Sequence, residues 1–475
     1  MAFSFLAFES ILVLFLAFLV FLIALLKLSA RDAEKLPPGR QGWPLVRENI
    51  GFLSARRHGV LHFFQPRIAK YGKIFTTHLF GKRSVVSAHA HFNKWVLQNE
   101  GRLFTAKYPK GLSAIIGKYG MLSIHGDLHR KLHGVAVSLL SMDKLKAHFL
   151  AEVDSMIRSR VNQWIGNDIL LQDECRKMVL ELMLKHLLGL DPSEDTKEIE
   201  REFRDVTGSG VGVLPIRLPG TKFYKAIKAR EALVERMKME IKKREEDPKA
   251  FGEDLLSRLL NDQESRLPNE VVIDFVLFLV HAGHHTSARA LAFVVKHLTE
   301  NPEALLELRE EHDAIGKSRN GGRLTWEDYK SMKFTRWVIN ETLRLEVGAN
   351  MVVREAMENV PVEGYVIPKG TCVILLIDAV HKEKDNYESP LAFNPWRWQS
   401  DDLQKKSSTD GIFTPFSGGP RLCPGAQFAQ MEISVFLHHL VTNCRWEKLT
   451  EHQVIRIPAP TFADGFPIHV YPREA

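Results

Sequence analysis

Cysteine is scarce in this chain: Cys175, Cys372, Cys423 and Cys444 are the only four in 475 residues, and no two of them form a C-x-x-C pair. That excludes a disulfide framework and a structural zinc site, and it fits a reducing compartment. A strong charge of one sign is lacking too. Lys and Arg number 64 against 57 Asp and Glu, a net +7, and no basic block is interleaved with aromatics, so a nucleic-acid partner is not expected. Acidic protein or lipid surfaces stay compatible with that charge. No internal repeat, low-complexity tract or linker interrupts residues 50–475. Length alone would suggest roughly three domains of ~150 residues, but one large domain is the simpler reading. At 45% hydrophobic and 25% charged residues, the composition is that of a globular protein with material for a large core.

What is present begins with an apolar run, "FSFLAFESILVLFLAFLVFLIALL", from Phe3 to Leu26. It can cross the ~30 Å hydrocarbon layer as one helix and is too long for a signal-peptide core; a cleaved secretion signal is the alternative. Lys27, Arg31, Lys35 and Arg40 follow it and no base precedes it, which favours a cytoplasmic C-terminal side. The organisation expected is a single-pass anchor at 1–28, a basic and proline-rich hinge at 29–50, and a catalytic body at 51–475. Within the hinge, "LPPGRQGWP" (36–44) has three prolines and two glycines that forbid helix.

The body reads as mainly α with small β-sheets. Apolar residues recur at helical spacing through 145–190, 222–246 and 426–442, whereas the strand-like runs "GYVIP" (364–368) and "TCVILLI" (371–377) are short and fall late. Between Pro268 and Pro302 one long helix is expected, apolar on nearly every side, so it must cross the core. Its middle holds "AGHHTS", Ala282 to Ser287, small and polar where packing alone would want leucine. His281, His284 and His285 share a helix face, but no carboxylate of the H-E-x-x-H kind accompanies them, which argues against a metal site.

A second segment, "FSGGPRLCPG" from Phe416 to Gly425, boxes Cys423 between glycine and proline. A buried cysteine is most often a small hydrophobe, and that is the reading for Cys175, Cys372 and Cys444. Cys423 has different surroundings. A thiolate can ligate haem iron and push electron density that favours O–O cleavage. Gly418, Gly419 and Gly425 let backbone pass close to a flat macrocycle, and a helix starting after Pro424 would set its N-terminal dipole against the sulfur's charge. Arg421 could reach a haem carboxylate.

This segment resembles the haem loop F-x-x-G-x-R-x-C-x-G of the cytochromes P-450, the haem-thiolate monooxygenases. Phe416, Gly419, Arg421, Cys423 and Gly425 fill every fixed place. Two landmarks come in the family's order: "ETLR", with Glu341 and Arg344 one helical turn apart, and "FNPWRW", with Arg397. The resemblance covers essentially the whole chain. It implies the P-450 fold and haem b ligated by Cys423, with Arg421 and Arg354 (in "VVREA") on the propionates. It also implies a buried ion network of Glu341, Arg344 and Arg397. "HGDLHRKLH" (125–133) is similar to the helix that many members mark W-x-x-x-R, with His129 and His133 at those two places. For His133 a propionate role and a core-edge role are both open.

"AGHHTS" resembles the oxygen-activating motif A-G-x-[D/E]-T. By that resemblance Ala282 and Gly283 give dioxygen room over the iron, and Thr286 helps deliver protons. His285 stands where an acid is usual; imidazole can relay protons too and titrates nearer neutrality. The run "SGVGVLPIRLPGTKFYKAIKAR", ending at Arg230, together with "AGHHTS" and "FNPWRWQ", is similar to plant endoplasmic-reticulum enzymes that hydroxylate brassinosteroids and related terpenoids. This implies a large hydrophobic substrate, a steroid or triterpenoid, lined by Leu112, Ile115, Ile116, Met351, Val352, Phe462 and Phe466. It further implies electrons from NADPH through a diflavin reductase, whose acidic surface Arg130, Lys131 and Lys405 could meet on the cytosolic side of the membrane. Two rivals remain at this stage. A haem-thiolate isomerase or dehydratase acting on hydroperoxides needs neither an oxygen-activating threonine nor a reductase, so Thr286 and the intact ten-residue haem loop count against it, and a non-catalytic haem-binding protein would tolerate loss of both.

Overall fold

The computed structural model describes residues 36–473, except 40–46, 56, 80, 209–214, 249–250, 253, 263–265, 320–321, 363 and 457–458. The expected anchor and most of the hinge lie outside these residues. The described part of the hinge docks on the body. Thr76 donates from its backbone N to Pro38 O (2.9 Å) and from Oγ1 to Pro37 O (2.8 Å). Gly39 pairs with Thr76 so closely that a Cβ there would stand 2.0 Å from the Thr76 carbonyl oxygen. Prolines can accept but not donate, so this segment lies along a sheet edge without extending the ladder.

The helices that position the site are α1 (Ala90–Gln98), α2 (Lys110–Ile116), α3 (Gly126–Leu139), α4 (Leu171–Leu188), α5 (Glu194–Gly208), α6 (Lys222–Glu246), α7 (Asn269–Glu300), α8 (Lys333–Leu345) and α9 (Ala426–Asn443). α7 is the expected core-crossing helix, 32 residues long. It is long and apolar enough to span a membrane, but most of it is buried within the protein, with Val272, Val276, Val280, Leu291 and Leu298 fully enclosed. Its most extensive neighbour is α4. Gly283 permits that approach, because a Cβ there would lie 2.6 Å from Met183 Sδ of α4. The glycine therefore serves close helix packing.

The helical spacing at 145–190 resolves into several elements. A π-helical turn at Leu145–Phe149 leads into a helix at Leu150–Trp164, and Gly166, at φ +81°, turns the chain into a short strand, Asp168–Leu170, before α4 begins. Strands are also not confined to the late part of the chain. The main sheet contains β1 (Ile74–Leu79), β2 (Lys82–Ser87), β3 (Phe104–Ala106), β4 (Met351–Ala356) and β5 (Cys372–Leu376), in the order β1-β2-β5-β4-β3. The early hairpin escaped notice because Val85 and Val86, adjacent in β2, are both buried, so alternation is lost. β2 runs parallel to β5 and the other pairs are antiparallel. The register places Arg354 opposite Val373 on one side and Ala106 on the other, which buries its side chain to 1% exposure.

Glu341 and Arg344 of α8 are fully buried and joined twice, Arg344 Nη2 to Glu341 Oε1 at 2.8 Å and Nε to Oε2 at 2.9 Å. Arg397 Nε (3.0 Å) and Trp398 Nε1 (3.0 Å) also donate to Glu341, while Arg344 donates to the carbonyls of His381, Pro390 and Ala392. With every group bonded, the network ties the 381–398 segment to α8 and avoids the penalty of an unpaired buried charge.

Candidate functional site

The Phe416–Gly425 loop is shaped by short-range backbone bonds. Cys423 N donates to Phe416 O (3.0 Å) and Leu422 N to Gly419 O (3.0 Å), with Ser417 and Gly419 at positive φ. A Cβ on Gly419 would fall 2.1 Å from Leu97 O, so this glycine lets the loop lie on the end of α1. Gly425 has another function: its N–H donates to the Cys423 sulfur, opposing the burial that raises the thiol's pKa above its usual value. α9 starts at Ala426 and sets its N-terminus beside the thiol. Cys423 is the one exposed cysteine of the four, open on one side while protein presses close on the others.

Thr286 also breaks the surrounding pattern, an exposed side chain in the middle of a core helix, whose Oγ1 donates to Ala282 O (2.8 Å). The preceding residue, His285, is half-buried, with its Nδ1 shielded from solvent. Its pKa is held well below the usual value, first by burial and then by the charge of Arg289, with His281, His284 and Arg176 adding to it. Its carbonyl accepts from Arg289 Nε (3.2 Å), and its Nδ1 has no partner. On the other side of α7, Glu432 of α9 lies beside Ser287. Burial raises its carboxyl to about 8, against the opposing hydrogen bond from Ser287.

The two arginines expected on propionates converge on Glu100, which the sequence reading missed. Arg421 Nε donates to Glu100 Oε1 at 2.6 Å, and Arg354 Nε lies 2.6 Å from Oε2, close enough for an ion pair although its N–H is not aimed along that line. Glu100 Oε1 also accepts from Ala106 N (3.1 Å) on β3. Arg421 is held further by the carbonyls of Met121 (2.9 Å) and Ile124 (2.8 Å). Two buried guanidiniums against one carboxylate leave a surplus positive charge, and a haem carboxylate would balance it. His129 adds none: burial, and then Arg421, lower it to about 4. His133 stacks on His129 with centroids 5.5 Å apart, and its Nε2 donates to Leu422 O at 2.8 Å. It tethers the cysteine loop to α3.

The family model for cytochrome P-450 matches residues 37–469. The chain belongs to the cytochrome P-450 family. Among curated proteins it is 45% identical to an abietadienol/abietadienal oxidase of Pinus taeda (92% of this chain, 91% of the relative) and 40% identical to a steroid (22S)-hydroxylase of Oryza sativa subsp. indica (93% and 89%). Among solved structures, retinoic acid bound cyanobacterial CYP120A1 superposes with a TM-score of 0.82 at 26% identity, covering 92% of this chain and 99% of that one. The protein is thus a P-450 monooxygenase with the mainly helical P-450 fold and small sheets. The family implies haem, and the residues present fit it: an open thiol with an N–H donor, and a buried cluster short of one negative charge. Cys423 would ligate the iron and Arg354 and Arg421 would hold the propionates; the bound haem supplies oxygen activation.

The residues expected to line the substrate do not all meet. Ile115 and Ile116 of α2 face a crevice shared with His281 of α7. Leu112 is half-buried on the same helix, while Met351 and Val352 sit on β4, Val352 packed into the sheet's own core. Phe462 and Phe466 stack on one another (4.7 Å), and Phe462 on Phe293 of α7 (4.5 Å), inside the main hydrophobic core.

The Glu100 clamp gives a first expectation. Glu100→Gln should destabilise the haem-free protein by ~3–5 kcal/mol, as for breaking a buried pair. It should destabilise the haem-loaded protein less, because the propionates supply charge to both arginines. Thermal unfolding of the two forms measures this, and an equal loss in both would place the arginines away from the haem.

Proposed function

We propose that this P-450 is anchored in the endoplasmic-reticulum membrane by residues 1–28. Its body faces the cytosol and hydroxylates a steroid or terpenoid with O2 and electrons from NADPH passed through a diflavin reductase. The observation that carries the reading is the exposed Thr286 in the middle of a mostly buried core helix, in a chain whose cysteine loop is complete. Neither a hydroperoxide isomerase nor a haem carrier requires that hydroxyl. The relatives' names support the substrate class, one being an oxidase of abietadienol and abietadienal and another a steroid (22S)-hydroxylase. The apolar side chains Ile115 and Ile116 suit contact with one end of such a skeleton. The protein's own groups orient the substrate, exclude water and hold the proton at Thr286 Oγ1.

Microsomes containing the chain and a reductase, offered sterol, triterpenoid and diterpenoid panels, should consume NADPH and oxygen with a matching hydroxylated product by mass spectrometry. Turnover of hydroperoxides without NADPH would support the isomerase instead. The anchor gives a second expectation: the full chain should resist carbonate extraction, with its body open to protease from the cytosolic side. Cleavage of the body only after permeabilisation would reverse the topology.

A further inference from the structure

α7 places two histidines one turn apart, His281 and His285, with rings nearly parallel (25°) and centroids 6.0 Å apart. His281 lines a narrow crevice between α2, α5, α6 and α7, whose interior of about 10 Å³ has room for a group the size of a hydroxyl or one water. The walls are apolar: Ile115 and Ile116 of α2, Phe203 and Val206 of α5, and Phe278 of α7. One other wall residue is charged, Arg230 of α6, and its guanidinium is already paired with Asp274. That pair is fixed in place, since Asp274 Oδ2 accepts from Tyr119 N (2.9 Å) and its carboxylate packs so tightly on Gly117 that a Cβ there would meet it at 2.5 Å.

His281 is therefore the one wall side chain that can both donate and accept while neutral, and its Nδ1 is buried without a partner. A buried polar group left unbonded is disfavoured, so native proteins that keep one usually have a use for it. Burial, and then the charge of Arg289, lower the His281 pKa to about 4, and the ring is neutral at physiological pH. A neutral imidazole can donate to or accept from a hydroxyl or carbonyl, but it does not compensate a carboxylate. The crevice is too small for a polycyclic skeleton and would take one end of it.

We propose that His281 is the polar anchor of the substrate site, and that the substrate carries a neutral oxygen, a hydroxyl or carbonyl, which enters the crevice and hydrogen-bonds this imidazole while its rings stay outside, against the apolar rim. This rests on the terpenoid and steroid reading above. The test is spectral titration of the haem-loaded full chain with two matched pairs: cholesterol and the hydrocarbon lacking its hydroxyl, and abietadienol and abietadiene. Wild type should bind the alcohol of at least one pair about tenfold more tightly, the size of one net hydrogen bond. His281→Leu should remove that preference by weakening the alcohol alone, and His281→Gln should keep most of it. Reduced, carbon monoxide-bound spectra establish that each variant holds its haem. An alcohol preference that survives in His281→Leu, or no preference in wild type, overturns the anchor alone. If neither pair shifts the wild-type spectrum, the substrate class fails and the anchor with it.

Discussion

Cys423→Ala is expected to abolish the red-shifted Soret band of reduced, carbon monoxide-bound protein, while Cys444→Ala leaves it in place. The iron needs a thiolate, and the four cysteines differ in their ability to supply one. Burial pushes Cys372 to about 11 and Cys444 to about 12, and raises Cys175 well above its usual value; all three are packed in cores with no open side. Burial also raises Cys423, but there it is opposed by the Gly425 N–H and the start of α9, and the sulfur is open to a ligand. The effect should be all-or-none for the thiolate signature even if some haem is retained. An unchanged band in Cys423→Ala would remove the basis for the whole site.

Legibility in the sequence followed distance along the chain. The cysteine loop is ten consecutive residues, and α7 is bounded by Pro268 and Pro302, so local chemistry was enough to mark both. Glu100 could not be found in that way. It meets Arg421, 321 positions away, only because the sheet brings β3 beside β4 and Gly419 lets the cysteine loop rest on α1. His133 shows the same limit: its position on α3 was clear, but its bond to Leu422 O depends on how the loop packs. The N-terminal apolar run lies outside the described residues, so its reading rests on the sequence alone. Gly283 and Gly419 were recognised as necessary glycines, but their protein neighbours, Met183 and the Leu97 carbonyl, were not, because a sequence shows that space is needed without showing what packs there.

The second large effect is expected at Thr286. Proton delivery by a positioned group contributes ~10²–10⁴-fold to a step, so Thr286→Ala should sharply raise the share of NADPH lost to hydrogen peroxide while substrate still binds. His285 is a different case. Its surroundings suit an acid, since Arg289 and Arg176 both lower its pKa after burial has done so, yet the residue is an imidazole with an unpartnered Nδ1. Held well below 6.5, it stays neutral between about pH 6 and 8 and does not reach the range in which a free imidazole would exchange protons. A neutral ring relays a proton only if both nitrogens have partners, and no protein group bonds Nδ1. His285→Ala should therefore couple nearly as well as wild type, with no added pH dependence across that range. His285→Glu would set a carboxylate beside Arg289 and should raise product formed per NADPH. Measuring NADPH, hydrogen peroxide and product in the four proteins across this pH range decides the matter. If coupling in wild type falls with a midpoint inside the range, and His285→Ala abolishes that dependence, the imidazole carries the proton after all and its burial in α7 must open during turnover.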